Sequence, residues 1–277
     1  TSLLPIVLFP LLGVMGAPEV TRHYGNHLVF LFMGGFIMAL SMQRWQLHKR
    51  IAMHVITWVG FSPTRLVLGF MLATAFLSAF ISNTATTFML LPVAVAVVNQ
   101  LMSDDAQLQA DNAFATNLML GIAYAASIGG VATLIGTPPN MVFVGYMHAA
   151  YGIDISFAQW LKVGVPFSVL LLPLAWWWLT RVANPMDVKQ LPGSKQLIAD
   201  ELKTMGSMHA GEKWTAWVFS LTALGWIFRQ PLASLLPQPH MLTDASIAIL
   251  GATLLFIIPI NLKNNQFVMN WQWAVKL

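Results

Sequence analysis

Long apolar runs separated by short polar stretches make up most of this sequence. Such runs lie at residues 1–16, 27–43, 66–82, 84–102, 114–135, 137–150, 157–180, 214–230 and 243–260. A helix needs about 20 apolar residues to cross a bilayer, so the shortest runs cannot cross alone. The pattern therefore predicts an all-α polytopic membrane protein in which some apolar segments are interrupted.

Two junctions between apolar runs contain no hydrophilic loop. The first is Ser82-Asn83-Thr84 and the second is Gly136-Thr137-Pro138-Pro139-Asn140. An external turn between two ordinary spans is one interpretation of each junction. Since two such breaks with short apolar arms follow each other, we favour polar breaks held inside the membrane. This predicts a re-entrant helical hairpin at 66–102 and a broken transmembrane helix at 114–150.

Two basic stretches indicate the orientation of the chain. Residues 44–65 also carry apolar residues at helical spacing, which predicts an amphipathic helix on the membrane surface. The apolar stripe of this helix would be Leu47, Ile51, Val55, Trp58 and Val59. Residues 181–213 form a polar linker. The excess of Lys and Arg in both stretches places them in the cytoplasm. Both stretches reach that side only if 114–150 crosses the membrane once, so the charge pattern favours one broken helix there.

The composition excludes several classes of protein. Of 277 residues, 57% are hydrophobic and 9% are charged, whereas soluble domains contain about 25% charged residues. This argues against a soluble enzyme, a nucleic-acid-binding protein and a disordered chain. The absence of cysteine excludes disulfides and thiolate metal sites within these residues. An intramembrane enzyme is also disfavoured, because the apolar runs contain no nucleophile–base pair.

Both ends of the sequence lie beside apolar segments, so we expect it to be an incomplete part of a longer polypeptide. Residues 1–16 and 243–260 have similar length and apolar character, and the predicted orientation runs them in opposite directions. This is the pattern expected at the start of two inverted repeats. Residues 214–277 would then be the truncated start of the second repeat.

A broken helix presents opposite partial charges at one place. The arm that ends there has unpaired carbonyl groups, which can coordinate a cation, and the arm that begins there has free N–H groups, which can hold an anion. Ser82 and Asn83 are favoured capping residues. Gly136 can present a carbonyl and Thr137 a hydroxyl. Two opposed broken helices can thus bind a sodium ion and a carboxylate side by side.

The acidic residues support neutral ligands for such a cation. All ten lie in loops or at the edges of apolar segments. A proton-driven carrier usually needs a carboxylate or histidine relay inside the membrane. Oxygen ligands for Na⁺ are therefore the more natural coupling chemistry within this part of the polypeptide.

The residues at these breaks resemble a known family. The stretch Ser78-x-x-x-Ser82-Asn83-Thr84-Ala85-Thr86 and the stretch from Gly121 to Asn140 are similar to the paired signatures of the divalent anion:sodium symporters, the dicarboxylate/citrate carriers. Gly34-Gly35-Phe36 and Leu47-His48-Lys49-Arg50 are similar to the span and surface helix of that family. The resemblance covers the N-terminal to middle portion of such a protein.

The resemblance implies a fold and a function. The fold has two inverted repeats, with scaffold spans in 1–65 and a transport-type region in 66–150, and it forms a homodimer. The function is secondary active transport of di- or tricarboxylates, of the succinate, malate and citrate class, coupled to sodium by an elevator-type movement. The protein would lie in the bacterial inner membrane and would need no cofactor other than the coupling ion.

The resemblance also assigns site residues. Ser78, Ser82, Asn83 and Gly136 would form one sodium site. Asn83 and Thr84, with Thr137 and Pro138 nearby, would bind a substrate carboxylate. A second Ser-Asn-Thr hairpin and a second broken helix are absent from the sequence, so the other half of the site is expected outside it.

Two features of the sequence allow other interpretations. A channel or ATPase-associated membrane subunit that exports oxyanions could use similar broken helices, and it stays open as a function from another class. Glu19, His23 and His27 have the spacing of helical metal ligands, but Pro18 and Gly25 flank or interrupt them. We interpret these three residues as part of a solvated loop, because helical zinc pairs need a regular helix.

Overall fold

The computed structural model describes residues 3–104, 113–186, 194–238 and 241–275, and these residues form an almost entirely helical protein. The helices are α1 (Leu4–Leu11), α2 (Ala17–Tyr24), α3 (His27–Arg44), α4 (Leu47–Val59), α5 (Pro63–Ser78), α6 (Asn83–Asp104), α7 (Ala113–Ala132), α8 (Pro138–Tyr151), α9 (Phe157–Trp178), α10 (Ser194–Met205), α11 (Ala210–Ile227), α12 (Arg229–Ser234), α13 (Asp244–Ile257) and α14 (Trp271–Ala274). A π-helical turn, Leu179–Ala183, continues α9. One short antiparallel pair, β1 (Pro259–Asn261) and β2 (Gln266–Phe267), follows α13.

Three helices in the described part of the chain are long and apolar enough to cross a membrane. They are α3, α7 and the continuous helix Phe157–Ala183. Shorter apolar helices occupy Pro63–Ser78, Asn83–Asn99 and Asp244–Ile257. The prediction of an all-α polytopic membrane protein is confirmed. The re-entrant position of the hairpin and the inverted repeat stay predictions.

Contacts between helix termini show which termini lie at the same end of the molecule. At one end, the Trp45 indole after α3 donates to the carbonyl of Val268 (2.8 Å), and Arg50 of α4 pairs with Glu212 at the start of α11. At the opposite end, Asp244 at the start of α13 accepts a hydrogen bond from the backbone N–H of Phe157. Helices α3, α9 and α13 therefore run in one direction, and α11 runs in the opposite direction. The assignment of the first end to the cytoplasm stays a prediction.

The basic stretch 44–65 contains helix α4, which lies against α5. The helix begins after Gln46, which has a left-handed backbone (φ 56°), and ends at Gly60 (φ 108°). Its buried face consists of Leu47, Ala52, Met53 and Ile56, whereas Trp58 is 85% exposed. The sequence pattern had put Trp58 on the apolar stripe of this helix together with Leu47, so the buried face is rotated relative to that expectation.

The described residues of the stretch 181–213 include a helix. Helix α10 lies within them and approaches α4, where Lys49 forms an ion pair with Glu201. Residues 187–193 of the linker are outside the described part of the chain.

Two hydrophobic clusters hold the helices together. The first is formed mainly by α4, α5, α6 and α7 and includes the fully buried side chain of Phe70. The second joins α3, α8, α11 and α13 around the buried Trp226. Glycine allows close packing in both, since a Cβ on Gly34 would overlap the backbone of Ala248 and one on Gly129 would overlap that of Ala75.

Candidate functional site

The first break separates α5 from α6 by four residues, Ala79 to Ser82. The last turn of α5 closes through a hydrogen bond from the N–H of Ile81 to the carbonyl of Leu77 (2.9 Å). Ser82 begins α6, because its hydroxyl accepts from the N–H of Ala85 (3.3 Å) and its carbonyl accepts from the N–H of Thr86 (2.9 Å). Ser82 is thus used as a helix cap, as its residue type favours.

The second break separates α7 from α8 by five residues, 133–137. Thr137 has an extended backbone, and two prolines form the first turn of α8, where their missing N–H groups cost nothing. The side chain of Asn140 turns back across the break and donates to the carbonyls of Gly130 (2.9 Å) and Thr133 (2.7 Å). It thereby satisfies carbonyl groups that the end of α7 leaves without helical partners.

The two breaks touch each other. The hydroxyl of Thr133, in the second break, donates a hydrogen bond to the carbonyl of Ala79, in the first. A Cβ on Gly136 would lie 3.0 Å from the same Ala79 carbonyl, and a Cβ on Gly130 would overlap the side-chain oxygen of Asn83. Bulkier side chains at either glycine would force the breaks apart, so the close approach depends on glycine at both positions.

The hydroxyl of Ser78 links both helices that end at the breaks. It is buried and lies 2.7 Å from the side-chain amide of Asn83 and 2.8 Å from the carbonyl oxygen of Ala126 on α7. Because it carries one proton, it donates to one of these groups and accepts from the other, and an amide can do either. Hydroxyl, amide and carbonyl oxygens are thus gathered around Ser78.

The structure brings two of the predicted sodium ligands, Ser78 and Asn83, into contact and places Gly136 at the junction between the breaks, while Ser82 caps α6. Ser78 and Gly136 are buried, and Ser82 and Asn83 are half-buried. Ser78 and Asn83 are in direct contact, and Gly136 approaches both the first break and Gly130.

The predicted substrate residues have greater access to the surface. Thr84 and Pro138 are exposed, and Thr137 is half-buried. Each begins a helix at one of the two breaks, so an anion bound there would meet the N-terminal ends of α6 and α8. Asn83 belongs to both predicted sets and lies at the border between them.

The sequence did not indicate two residues whose side chains hold the breaks in place. Thr133 and Asn140 supply side-chain hydrogen bonds that cross or close them, but neither was assigned a role. Both are polar residues within or beside apolar runs, and that was the available signal. Their partners are carbonyl groups, which carry no sequence signature.

The chemistry of the site is that of neutral oxygen. No Asp, Glu, Lys or Arg occupies either break. Among the residues that the structure describes, no group of three or more His, Cys, Asp and Glu residues is arranged to hold a metal ion. Carbonyl, hydroxyl and amide oxygens suit hard cations, whereas transition metals prefer imidazole and thiolate.

The side chains of Glu19, His23 and His27 lie elsewhere. They are exposed, as expected, but they lie on α2 and at the start of α3 and not in a loop, because Pro18 is accommodated in the first turn of α2 and Gly25 follows its end. They border an open cavity of about 1110 Å³. Polar residues from three other helices and one loop line the same cavity: His148, Asp154, Arg229 and Asp244.

Comparison with known proteins gives a consistent assignment. The sequence matches the family model described as the sodium:sulfate symporter transmembrane region over residues 1–276. It is 41% identical, over 281 aligned residues, to the "Sodium-dependent dicarboxylate transporter SdcS" of Staphylococcus saprophyticus. It has the same identity to the SdcS protein of Staphylococcus aureus strain USA300. Each alignment includes 100% of this chain and 54% of the relative, so the chain spans about half the length of these proteins.

Proposed function

Because the chain belongs to the sodium:sulfate symporter family, a family of membrane transporters, we propose that it forms part of a carrier that couples the movement of dicarboxylates to sodium. The resemblance seen in the motifs around Ser82 and Gly136 is confirmed by this membership. The family is one of transporters and not of enzymes.

The contact between the two breaks is the observation that carries this proposal. It collects the carbonyl of Ala79 and the side chains of Ser78, Asn83 and Thr133 in one place, with no fixed charge nearby. Sodium binds there to Ser78, Ser82, Asn83 and Gly136. The bound ion supplies the positive charge that a carboxylate needs, because no Lys or Arg lies in either break.

The substrate binds on the more exposed side of the same place. One carboxylate meets Asn83 and Thr84 at the start of α6, with Thr137 and Pro138 at the start of α8. The N–H groups at the start of α6 stabilise the negative charge, whereas α8, which begins with two prolines, contributes the hydroxyl of Thr137. The relatives named as sodium-dependent dicarboxylate transporters support dicarboxylates as substrates. The proposal places the substrate in the succinate, malate and citrate class. Contacts to a second carboxylate come from the rest of the carrier.

The transport movement is of the elevator type. Residues 66–150, which contain both breaks, move as the transport part against scaffold helices that include α3. The carrier works as a homodimer in the bacterial plasma membrane, and the stretches 44–65 and 181–213 face the cytoplasm. The excess of Lys and Arg in these two stretches supports that orientation.

Labelling of single cysteines in a protein without other cysteines tests the orientation, and these 277 residues contain none that would need to be replaced. In intact cells, an impermeant maleimide should label Arg22→Cys and should not label Lys195→Cys until the membrane is opened. Labelling of Lys195→Cys in intact cells would reverse the orientation.

Uptake of labelled succinate by the full-length protein in liposomes tests the function. Uptake should require an inward sodium gradient and should proceed without ATP. Equal uptake in choline buffer would contradict sodium coupling, and transport that depends on an added ATPase would favour the oxyanion-export subunit.

Thr84→Ala should raise the KM for succinate while the sodium dependence is retained. An unchanged KM would remove Thr84 from the substrate site.

A further inference from the structure

Thr86 has a buried hydroxyl with no hydrogen-bond partner. The residue is fully buried, and its Oγ1 atom bonds to no group in the described part of the chain. Taking a hydroxyl out of water without a partner is unfavourable, so native proteins contain few such groups. Those that do occur often mark the position of a bound ion or water.

Three other buried threonines within helical segments satisfy their hydroxyls locally. The hydroxyls of Thr74, Thr180 and Thr222 donate to the carbonyl four residues earlier, at 2.6, 2.8 and 2.9 Å. The equivalent carbonyl for Thr86 is that of Ser82, which accepts only the backbone N–H of Thr86 among the described contacts. The hydroxyl of Thr86 therefore forgoes the bond that these other threonines make.

The position of Thr86 places this hydroxyl beside the first break. Thr86 follows Asn83 by three residues on α6, so the two side chains are neighbours on one face of the helix. Side chains on a helix lean toward its N-terminus, which here is the break itself. The same face continues into the interior through Leu90, Ala94 and Val97, all of which are buried.

The predicted sodium site has few ligands without Thr86. Ser78, Ser82, Asn83 and Gly136 supply roughly one oxygen each, whereas hard cations in proteins gather about six oxygens. A hydroxyl one helical turn inside Asn83 is of the right chemical type to supply another. A cation would satisfy the lone pairs of this hydroxyl, which no donor in the described part of the chain reaches.

We propose that Thr86 Oγ1 is a further oxygen ligand of the sodium ion held at the break between α5 and α6. This inference rests on the proposed sodium-coupled function. It explains why a hydroxyl in this position is left without a protein partner. It also predicts that the buried hydroxyl destabilises the sodium-free protein and stabilises the sodium-bound one.

The experiment compares three variants of the full-length protein: Thr86→Val, Thr86→Ser and Thr222→Val. Valine keeps the shape of threonine and removes the oxygen, while serine keeps the oxygen. Thr222 is a buried threonine of α11, outside both breaks, and serves as the matched control. The half-saturating sodium concentration is measured for succinate uptake, and the unfolding temperature is measured in sodium and in choline.

Thr86→Val should raise the half-saturating sodium concentration roughly tenfold or more, as expected for loss of one oxygen bond to a charged group. Its unfolding temperature should rise in choline relative to the wild type and gain less from added sodium. Thr86→Ser and Thr222→Val should keep the wild-type sodium dependence. A variant Thr86→Val with wild-type sodium dependence would overturn this inference and indicate a dry or water-filled site. Sodium-independent uptake by the wild type would instead overturn the proposed function.

Discussion

The hydroxyl of Thr133 donates a hydrogen bond to the carbonyl of Ala79, and this contact joins the two helix breaks of the chain. Ala79 lies just beyond α5, and Thr133 lies just beyond α7. Each is at the carbonyl end of a helix, where backbone oxygens lack helical partners. The bond therefore brings two partially negative helix ends together, which is favourable when a cation lies between them.

Thr133→Val should weaken the junction between the breaks. The substitution leaves the Ala79 carbonyl without its hydroxyl donor, at an expected cost of about 1–3 kcal/mol. We also expect a higher half-saturating sodium concentration for uptake. Thr133→Ser keeps the hydroxyl and should behave like the wild type in both measurements. A valine variant with unchanged unfolding and unchanged sodium dependence would mean that this bond does not hold the site together.

Gly130→Ala should displace the side chain of Asn83. A Cβ at this position overlaps Asn83 Oδ1, and overpacking of this kind costs about 1–3 kcal/mol. Since 1.4 kcal/mol corresponds to a factor of ten, sodium affinity should fall by about tenfold or more. Gly145→Ala is the control, because a Cβ there meets only Leu28 at an ordinary 3.5 Å. Equal sodium dependence in both variants would contradict the role of Asn83.

Glu212→Gln should destabilise the joint between α4 and α11. The carboxylate of Glu212 is almost fully buried and accepts two hydrogen bonds from Arg50, at 2.7 and 3.2 Å. Loss of one partner from a buried ion pair should cost about 3 kcal/mol. This is the lower end of the range for such pairs, because Arg50 keeps its bond to the Gly206 carbonyl.

The exposed pair of Asp200 and Lys203 provides the control for that measurement. Asp200→Asn should cost less than about 1 kcal/mol, as is usual for surface pairs. Unfolding of both variants in detergent can be followed by circular dichroism. Equal stability of Glu212→Gln and Asp200→Asn would show that the Arg50 contact contributes little.

Acidification should destabilise the protein through His48 of α4. Burial lowers the pKa of this imidazole below its ordinary value of 6.5. The hydrogen bond to the Met42 carbonyl raises the pKa, and the positive charge of Lys49 lowers it, so that the net pKa is lowered. The unfolded chain then binds a proton more readily than the folded one. The contribution of His48 is complete above about pH 6.5 and is lost as the pH falls toward the lower folded pKa.

Unfolding temperatures between pH 7.5 and 5 measure this effect. His48→Gln should reduce the loss of stability on acidification, and the exposed residue His54 provides a matched control as His54→Gln. If both variants follow the wild-type pH profile, His48 is not the titrating group.

The positions of the helix ends could be predicted from the sequence because their causes are local. Ser82 caps α6 and Pro138 starts α8, and both residue types carry those preferences within one helical turn. The apolar runs of the sequence likewise predict the helices that form the hydrophobic core. The rotation of α4 could not be predicted, because Ile56 packs against Gly69 of α5, and that contact depends on tertiary structure.

The joining contacts of the site could not be predicted for the same reason. The partners of Ser78, Thr133 and Asn140 include backbone carbonyls, which any residue provides. Sequence motifs indicated which breaks matter, but not that Ala79 and Ala126 contribute oxygen there. The unpartnered hydroxyl of Thr86 is visible only when burial and hydrogen bonding are known for each atom.

Equilibrium binding of radioactive sodium to the purified full-length protein tests the central claim most directly. The claim is that the two touching breaks hold a sodium ion through Asn83. Asn83→Ala should remain folded and bind one sodium ion fewer per chain than the wild type, and the Gly145→Ala control should bind the wild-type number. Wild-type sodium binding by Asn83→Ala would contradict the account.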